Sequence, residues 1–506
     1  MATVWVAGLS PQILASQDAL KQHYDAASTY QRAGDRQHAA AEQGAFLAEA
    51  LHRIANGEAQ SGQFQDAFPL FAEALNFAPL DAQLQIDYAT ASFDGEELVQ
   101  AKATAEPAAK ANPRNAQLRL LLGRILFQLG EYTRAKVELE AAVALNPDFN
   151  SGYLLGKIDL LLHDEPHARV VFDEMVSGFG NTALLHIYFG KAYSLMDYPE
   201  KAIDEFHQAI ALDPHAPDAH YSLAMAYMRH DESVGYNSAI PELRAELAIN
   251  PDDARSLYML GYIALKQRNL ADAEAELGKA STLQPNDVNT LVNLAEVYTG
   301  ENRPPEAEAT LRKAIKLAES DLSSANQAGR AHYLLGRLLM KSGRPDEAKQ
   351  EMKLSADLDR PADVAAGPAG EPRVITSSAM AVQNDDRAAS KAKISSHPDL
   401  KRLEDFKNQL SPAIAQTYSD LALNSVTKHE FHQAVALFEK AQMWNAALPD
   451  LDRNLGMAAL AAHEYDKAVV PLERHLAVHP EDKAARAAYD EAVRHRSSQK
   501  NASPSN

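Results

Sequence analysis

The sequence of 506 residues contains no cysteine. Disulfide bonds, thiolate catalysis and cysteine-based zinc sites are therefore excluded, while the redox compartment stays undetermined. Lysine and arginine are also in deficit, with 49 residues against 69 aspartates and glutamates, which gives a net charge of −20. Binding to nucleic-acid phosphates needs a local excess of basic residues. We therefore expect no nucleic-acid partner, and recognition of RNA by helical repeats is disfavoured.

Long apolar runs are absent as well. No stretch approaches the roughly 20 apolar residues that a membrane-spanning helix needs, so we expect no membrane span. Residues 1–12 contain a short apolar run from Val4 to Ala7 without a preceding basic segment, and we expect them to form a tail. Two localisations stay open, the cytoplasm as the sequence stands, or export if the start of a signal peptide lies upstream.

The common sequence motifs of enzymes are missing too. Gly156-Lys157 and Gly190-Lys191 lack the upstream glycine and the following serine or threonine of a phosphate-binding loop. No Gly-x-Ser-x-Gly motif of a hydrolase nucleophile occurs. We therefore predict that the protein is not an enzyme and that it has no cofactor.

What the chain does contain is a repeating pattern, which is clearest between Ala116 and Pro147. Leucines at helical spacing form an apolar stripe that ends at Gly130, and a second stripe begins at Ala135. A glycine just past the last periodic residue closes a helix in the left-handed conformation. The segment therefore predicts a helical hairpin, which is too short to be stable without neighbouring copies.

Copies of this hairpin recur along most of the chain. The closing proline, Pro147, is preceded at steps of 34 residues by Pro113 and Pro79. The recurring positions are Leu122, Gly123, Ala135, Leu139, Ala142 and Pro147 in one copy, and Phe189, Gly190, Ala202, Phe206, Ala209 and Pro214 in a later one. A period of 34 with these residues resembles the tetratricopeptide repeat family, as found in bacterial multi-repeat proteins.

The resemblance implies an all-α fold, a right-handed superhelical solenoid of stacked helical hairpins. We expect about nine regular repeats within a main array at 13–360, after a degenerate N-terminal repeat whose second helix continues into the next copy. Residues 361–397 are small, polar and proline-bearing, which predicts a disordered linker. Two more repeats and a capping helix are expected at 398–495, and a disordered tail at 496–506.

Two copies are longer than the period, spanning 37 and 41 residues. The additional residues of the first, near Asp231, are expected in the turn between its two helices, because loops accept insertions at small cost. Those of the second, near Ser320, equal about two helical turns, and we expect them to lengthen the second helix of that copy.

Histidine is abundant, with 18 residues, but the pattern does not favour a metal site. His163, His429 and His463 occupy the helix-ending position of the repeat. Other copies have Gly62, Gly130, Asp197, Asn302 and Gly343 at this position. All these residue types are enriched in the left-handed backbone conformation. The run from His429 to His432 spans such a turn, unlike the zinc-binding helix of metalloproteases. We predict helix termini at these histidines and no bound metal.

In the tetratricopeptide repeat family the first helix of each hairpin lines a concave groove, where its fifth, ninth and twelfth positions commonly face a ligand. On this sequence the resemblance gives the groove residues Arg124, Phe127, Tyr153, Lys157, Lys191, Tyr221, Met225, Tyr258, Tyr262, Tyr333 and Arg337. Cations and aromatic side chains dominate binding hot spots. The same residues also suit packing between repeats and neutralisation of acidic surface, and the sequence leaves both interpretations open.

The resemblance therefore implies a non-enzymatic scaffold that binds a peptide or protein segment in the groove. An acidic element of the partner would lie on Arg124, Lys157 and Lys191, and an apolar element on the tyrosines. The Lys and Asn pairs of the family's peptide-carboxylate clamp are not reproduced, so binding of chaperone tails is not expected. The alternative is a structural adaptor in a larger assembly, for example at the cell envelope, that uses the ends or the convex face.

Overall fold

The computed structural model describes residues 11–319, 325–358 and 400–502, which form 24 helices and no strand. The helices are α1 (Pro11–Arg32), α2 (Arg36–Gln60), α3 (Phe64–Phe77), α4 (Ala82–Asp94), α5 (Leu98–Ala111), α6 (Ala116–Gln128), α7 (Tyr132–Leu145), α8 (Phe149–Leu161), α9 (Glu165–Phe179), α10 (Ala183–Leu195), α11 (Pro199–Leu212), α12 (Ala219–His230), α13 (Glu232–Ile249), α14 (Ala254–Lys266), α15 (Leu270–Leu283), α16 (Val288–Gly300), α17 (Pro304–Ala318), α18 (Ala325–Lys341), α19 (Pro345–Leu358), α20 (Leu400–Thr427), α21 (Phe431–Trp444), α22 (Leu451–Ala461), α23 (Tyr465–Val478) and α24 (Lys483–Ala502). The linker predicted at 361–397 lies outside the described residues, as does most of the predicted N-terminal tail.

Successive helices pack as hairpins, so the fold is all-α, as the sequence predicted. From α4 to α19, each even-numbered helix packs against the odd-numbered helix that follows it, and we call the two the A helix and the B helix. Side chains such as Asp81 and Asn115 accept a hydrogen bond from a backbone N–H in the first turn of an A helix. B helices end two residues before the repeat proline, as α7 does at Leu145, because the residue before proline avoids the helical conformation.

Small residues on the A helix allow the two helices of a hairpin to approach closely. A methyl group added at Gly156 would lie 2.2 Å from the ring of Phe172, and one at Gly123 would lie 2.7 Å from Cγ of Leu139. The B-helix side chain therefore fills the space that the glycine leaves. The recurring small position of the first helix thus faces the recurring large position of the second.

The predicted helix-ending positions adopt the left-handed conformation. The φ angles of His163, His429 and His463 are 61°, 61° and 59°, and the other five positions named from the sequence also have positive φ. Glu96 and Arg268 occupy the same position in their copies, with φ of 66° and 62°, although the sequence did not identify them. The three histidines are therefore explained by helix termination.

The described residues fall into two compact units, with boundaries that differ from those expected. Unit 1 consists of the residues up to Asn146 together with those from Leu400 onwards, and unit 2 runs from Pro147 to Leu358. The division thus falls inside the predicted main array. It also places the C-terminal repeats, expected as a separate segment at 398–495, in one unit with the N-terminal repeats.

Unit 1 has a shared core because α20 packs against α2. Leu403 lies against Gly57, where an added methyl group would be 2.5 Å from Cδ1 of the leucine. Tyr418 on α20 is fully buried and donates a hydrogen bond of 2.6 Å from its hydroxyl to Glu73 on α3. Burial and the nearby Glu73 raise the pKa of Tyr418. Residues more than 340 positions apart therefore form one core.

Long helices appear at both ends of the chain. Helix α2 spans 25 residues, which confirms the prediction that the opening repeat runs into the next. Helix α20 spans 28 residues and includes the first helix of the first C-terminal repeat. Helix α24 packs on α22 and α23 as the predicted cap, but it extends to Ala502, whereas disorder was predicted from 496.

The two insertions lie elsewhere than predicted. In the 37-residue copy the turn is a single residue, Asp231, and the additional residues lengthen α13 to 18 residues. Gly235 permits this, because an added methyl group would lie 2.2 Å from the carbonyl oxygen of Tyr227. In the 41-residue copy the B helix ends at Ala318 without the predicted extension, and the next A helix instead begins early, at Ala325.

Candidate functional site

Nine of the eleven predicted groove residues lie in unit 2, on its A helices. We call the surface formed by α8, α10, α12, α14, α16 and α18 the A-helix face of unit 2. At its start Tyr153 and Tyr188 meet with ring centres 5.4 Å apart, and Phe149 packs against both. Tyr188 is 36% exposed and is not among the groove residues predicted from the sequence. Aromatic rings therefore connect α8 to α10.

The three cations that were predicted to bind an acidic element of the partner do not form one exposed set. Arg124 lies in unit 1, with its guanidinium carbon 4.7 Å from the centre of the Phe93 ring. Lys157 is only 4% exposed, and its Nζ lies 4.9 Å from the centre of the Tyr153 ring. Lys191 is exposed, with its Nζ 3.9 Å from Asp218. Each of these cations interacts with its own chain.

Phe127 cannot contact a ligand in this structure. Its side chain is completely buried on α6, where its ring centre lies 5.6 Å from that of Tyr132. The twelfth repeat position therefore faces the core here. The groove assignment of Phe127 is corrected to a core assignment.

Charged groups connect α10, α12 and α14. Asp218, which precedes α12 with a φ of 66°, accepts a hydrogen bond of 2.6 Å from Arg255. Arg255 also pairs with Asp253 at 3.0 Å, and its guanidinium carbon lies 4.7 Å from the centre of the Tyr221 ring. Burial raises the pKa of Tyr221. The Tyr221 ring is thus held between the core and a guanidinium group.

A cluster of half-buried tyrosines continues the A-helix face. Tyr221, Met225, Tyr258 and Tyr262 all pack on the core formed by α12, α13 and α14. The rings of Tyr258 and Tyr262 stack with centres 6.3 Å apart, and Asn293 on α16 donates a hydrogen bond of 3.1 Å to the Tyr258 hydroxyl. Burial is the main cause of the raised pKa of Tyr258. These rings are fixed by their own chain while part of their surface faces solvent.

The last predicted groove residues are the most exposed. Tyr333 on α18 is 48% exposed, and the guanidinium carbon of Arg337 lies 5.6 Å from the centre of its ring. On α14, Nζ of Lys266 lies 5.2 Å from the centre of the Tyr262 ring. Cation and aromatic ring are thus paired on both helices, an arrangement that is favourable even at exposed sites.

A pocket of about 500 Å³, which we call the cationic pocket, lies at the ends of α14, α16 and α18. Its rim carries Lys266, Arg268, Arg337 and Lys341, and its lining includes the apolar side chains of Leu265, Leu270, Leu334 and Leu338. Glu296 is the only carboxylate of the lining, and Arg330 donates a hydrogen bond of 2.7 Å to it. Of these cations only Arg337 was predicted from the sequence.

One cluster of metal-ligand residue types occurs in the described part of the chain. Candidate ligand atoms of Asp159, Asp164 and His167 lie within 4.8 Å of one another. Asp164 caps α9 by accepting a hydrogen bond from the backbone N–H of His167, whose Nδ1 lies 2.7 Å from Asp159. These contacts build the turn between α8 and α9, and they account for the cluster by a structural role.

Family models of the tetratricopeptide repeat match residues 96–158 and 264–324, 199–231, 235–288 and 329–361. The chain belongs to the tetratricopeptide repeat family. Such repeats make protein-interaction scaffolds, and proteins of this family are generally non-enzymatic. Among the described helices, none has the length and apolar content needed to cross a membrane.

Several solved structures are similar to parts of this tetratricopeptide repeat protein. PilF of Pseudomonas aeruginosa is 17% identical, with 54% of this chain and 95% of PilF covered and a TM-score of 0.31. MamA of Desulfovibrio magneticus RS-1 is 18% identical, with coverage of 35% and 94% and a TM-score of 0.31. A tetratricopeptide repeat protein of Parabacteroides merdae is 15% identical, with coverage of 48% and 93% and a TM-score of 0.34. No curated protein matches the sequence significantly. At these TM-scores we draw no functional conclusion from the solved structures.

The cationic pocket is the feature of this repeat array that sequence reasoning missed. Lys266 and Lys341 each occupy the last residue of an A helix, one position beyond those that the family resemblance selects. A comparison of the last residues of successive A helices would have found both lysines. Arg268 had no such signal, because its position is the helix-ending one and glycine commonly fills it.

Proposed function

We propose that the protein binds a segment of a partner protein on the A-helix face of unit 2, with Tyr221, Tyr258 and Tyr262 as the main contacts. The observation that carries this proposal is the cluster of half-buried tyrosine rings on α12 and α14, each fixed by a contact within its own chain. Rigid aromatic side chains supply large contact areas at low cost in conformational entropy. Aromatic residues of this kind dominate the energetics of protein interfaces.

Charged groups contribute less to this surface than the sequence predicted. Of the three cations assigned to an acidic element of the partner, Lys191 has the exposed ammonium group, whereas Lys157 is buried over Tyr153. We therefore assign the partner contact to the tyrosines, including the exposed Tyr333, and to Met225. Lys191 makes a smaller contribution to partner binding, because its ammonium group also interacts with Asp218.

The test is affinity capture from the native cell with the full-length chain, followed by identification of captured proteins by mass spectrometry. We expect the variant Tyr221→Ala/Tyr262→Ala to capture the partner at least roughly tenfold less well, since a hot-spot aromatic contributes about 2 kcal/mol or more. The matched control is Tyr30→Ala/Tyr465→Ala in unit 1. Equal capture by both double variants and the unaltered chain would refute the proposal, provided that circular dichroism shows all three folded.

A structural adaptor remains the second candidate, because apolar side chains are also exposed on the helices that close each hairpin. Val99 on α5 is 78% exposed and Met443 on α21 is 85% exposed. An adaptor that binds through these side chains would lose its captured partner in Val99→Lys/Met443→Lys. Under the favoured proposal this variant captures the partner normally.

A further inference from the structure

The cationic pocket carries positive charge that its own surroundings leave unpaired. Lys266, Arg268, Arg337 and Lys341 form no ion pair with a carboxylate within residues 11–319, 325–358 and 400–502. Other cations of the same face are paired, as Arg255 is with Asp218 and Arg330 with Glu296. In a chain with a net charge of −20, four neighbouring unpaired cations are a marked local exception.

The pocket also offers an apolar contact between these charges. Leu265, Leu270 and Leu334 contribute half-buried side chains to its lining. Gly300 borders the pocket without a side chain, and a methyl group added there would lie 2.9 Å from Cδ1 of Leu270. The glycine therefore leaves the leucine accessible from the pocket. A volume of about 500 Å³ is enough for an apolar side chain together with its flanking backbone.

Helix termination accounts for only part of this charge. Lys266 and Lys341 lie at the ends of α14 and α18, where a cation interacts favourably with the helix dipole. Arg337 lies one turn earlier in α18, and Arg268 lies in the turn after α14. Arg268 occupies the helix-ending position, where its charge also favours the helix dipole, but a helix end does not explain Arg337. Four cations around one pocket repel one another until an anion binds.

We propose that the cationic pocket binds an acidic segment of the partner protein, in which an apolar side chain contacts the leucines and neighbouring carboxylates pair with Lys266, Arg337 and Lys341. This inference rests on the proposed function, in which a partner segment lies on the same face, and it specifies the chemistry of that segment. A nucleic acid fits less well, because its affinity rests on phosphate contacts, which would leave the leucines of the pocket without an apolar contact.

The experiment selects peptides from a random dodecapeptide phage-display library on the full-length chain. We expect the enriched peptides to carry Asp or Glu next to a large apolar residue. A synthetic peptide from this set should bind the variant Lys266→Glu/Arg337→Glu/Lys341→Glu roughly tenfold or more weakly, since each lost charge pair becomes a repulsion. Its affinity for the unaltered chain should fall as salt is raised to about 0.15 M.

The matched control is Arg244→Glu/Lys313→Glu/Lys316→Glu. These residues lie exposed on the B helices α13 and α17, form no ion pair within the described residues, and give the same change in net charge. Lys316 lies in the last turn of its helix, so the control also reproduces the loss of a helix-end cation. We expect the control to bind the selected peptide as the unaltered chain does. If the triple pocket variant does not fold, Arg337→Gln replaces it, with a smaller expected loss.

Three results would overturn the inference. They are the absence of acidic residues among the enriched peptides, equal binding by the pocket and control variants, and binding of a single-stranded oligonucleotide at the pocket in preference to acidic peptides.

The proposed function is distinguishable from this inference. If Tyr221→Ala/Tyr262→Ala loses the cellular partner while the pocket variant retains it, the proposed function stands and the acidic segment is refuted. The opposite pattern refutes the role of the tyrosines and supports the pocket.

Discussion

The cationic pocket of unit 2 differs in its charge pairing from a cleft of about 650 Å³ in unit 1. The cleft lies among α5, α6 and α7, and its lining includes Lys102, Lys110 and Arg119. Arg119 pairs with Glu138 at 2.5 Å, and Lys102 pairs with Glu131 at 2.7 Å. Only Lys110 lacks an ion pair with the described residues. In the cationic pocket all four rim cations lack one.

The difference indicates that positive charge by itself does not identify a binding site in this chain. A cation that already pairs with a carboxylate between two helices contributes to the packing of those helices. A cation without a carboxylate partner remains available to a ligand, and its replacement costs little stability because its contact with an exposed tyrosine ring, as at Arg337, is weak. The two regions should therefore respond in opposite ways to the same kind of substitution.

The largest effect is expected for Arg119→Glu in the cleft. The new carboxylate would face that of Glu138, and the two native side chains are only 21% and 18% exposed, so solvent would screen the repulsion poorly. We expect α6 and α7 to lose about 1–3 kcal/mol of stability, a typical range for a mutation that breaks a partly buried pair. Hydrogen exchange of peptides from α6 and α7 measures this loss.

The control for this prediction is the charge exchange Arg119→Glu/Glu138→Arg, which restores an ion pair in the opposite orientation. It should recover most of the lost protection from exchange. Arg337→Glu in the cationic pocket should change the protection of α18 by no more than about 0.5 kcal/mol, as surface substitutions commonly do. Comparable losses at Arg119 and Arg337 would remove the distinction between the two regions.

A smaller effect is expected from pH, again in the cleft. Burial raises the pKa of Glu131, but hydrogen bonds from Lys102 and Arg134 outweigh it and hold the pKa below the usual value of 4.5. Because the folded state has the lower pKa, these pairs stabilise unit 1 fully above the unfolded value of 4.5, and the stabilisation is lost below 4.5 as the pH falls through the lower pKa of the folded state. The protection of α5 and α7 should therefore decrease with acid more steeply in the unaltered chain than in Glu131→Gln. Parallel acid profiles of the two proteins would contradict the prediction.

The features that follow the repeat period were predictable from sequence. Gly156 facing Phe172 and the left-handed His163 are examples, because each is fixed by contacts within one hairpin or its turn. The packing of Leu403 against Gly57 was not predictable, since neither residue carries a local signal for a partner so distant in the chain. The prediction of where the two insertions lie was also wrong, because a helix can absorb added residues as well as a turn can.

The candidate site was predicted in part for the same reason. Periodicity located the A helices and hence Tyr221, Tyr258 and Tyr262, which lie on one packed surface of unit 2. It could not distinguish a buried position such as Phe127 from an exposed one such as Tyr333, because both occupy A-helix positions that the family uses for ligands. Side-chain pairing with neighbouring helices decides exposure, and a repeat pattern does not specify those pairs.

The smallest effect is expected for Glu296→Gln, which removes the only carboxylate from the lining of the cationic pocket. Its ion pair with Arg330 is exposed, with both side chains 42% exposed, so the loss of stability should stay within about 0.5 kcal/mol. The substitution leaves the pocket more positive and frees Arg330, so an acidic peptide selected on the chain should bind roughly threefold more tightly, a gain of about 0.6 kcal/mol. Fluorescence anisotropy of the labelled peptide measures this gain, with Glu276→Gln on the B helix α15 as the matched control. Glu296→Gln is expected to strengthen binding, whereas every other pocket variant is expected to weaken it. A decrease in the affinity of Glu296→Gln for the peptide would therefore contradict the role of pocket charge, even if all the other variants behaved as expected.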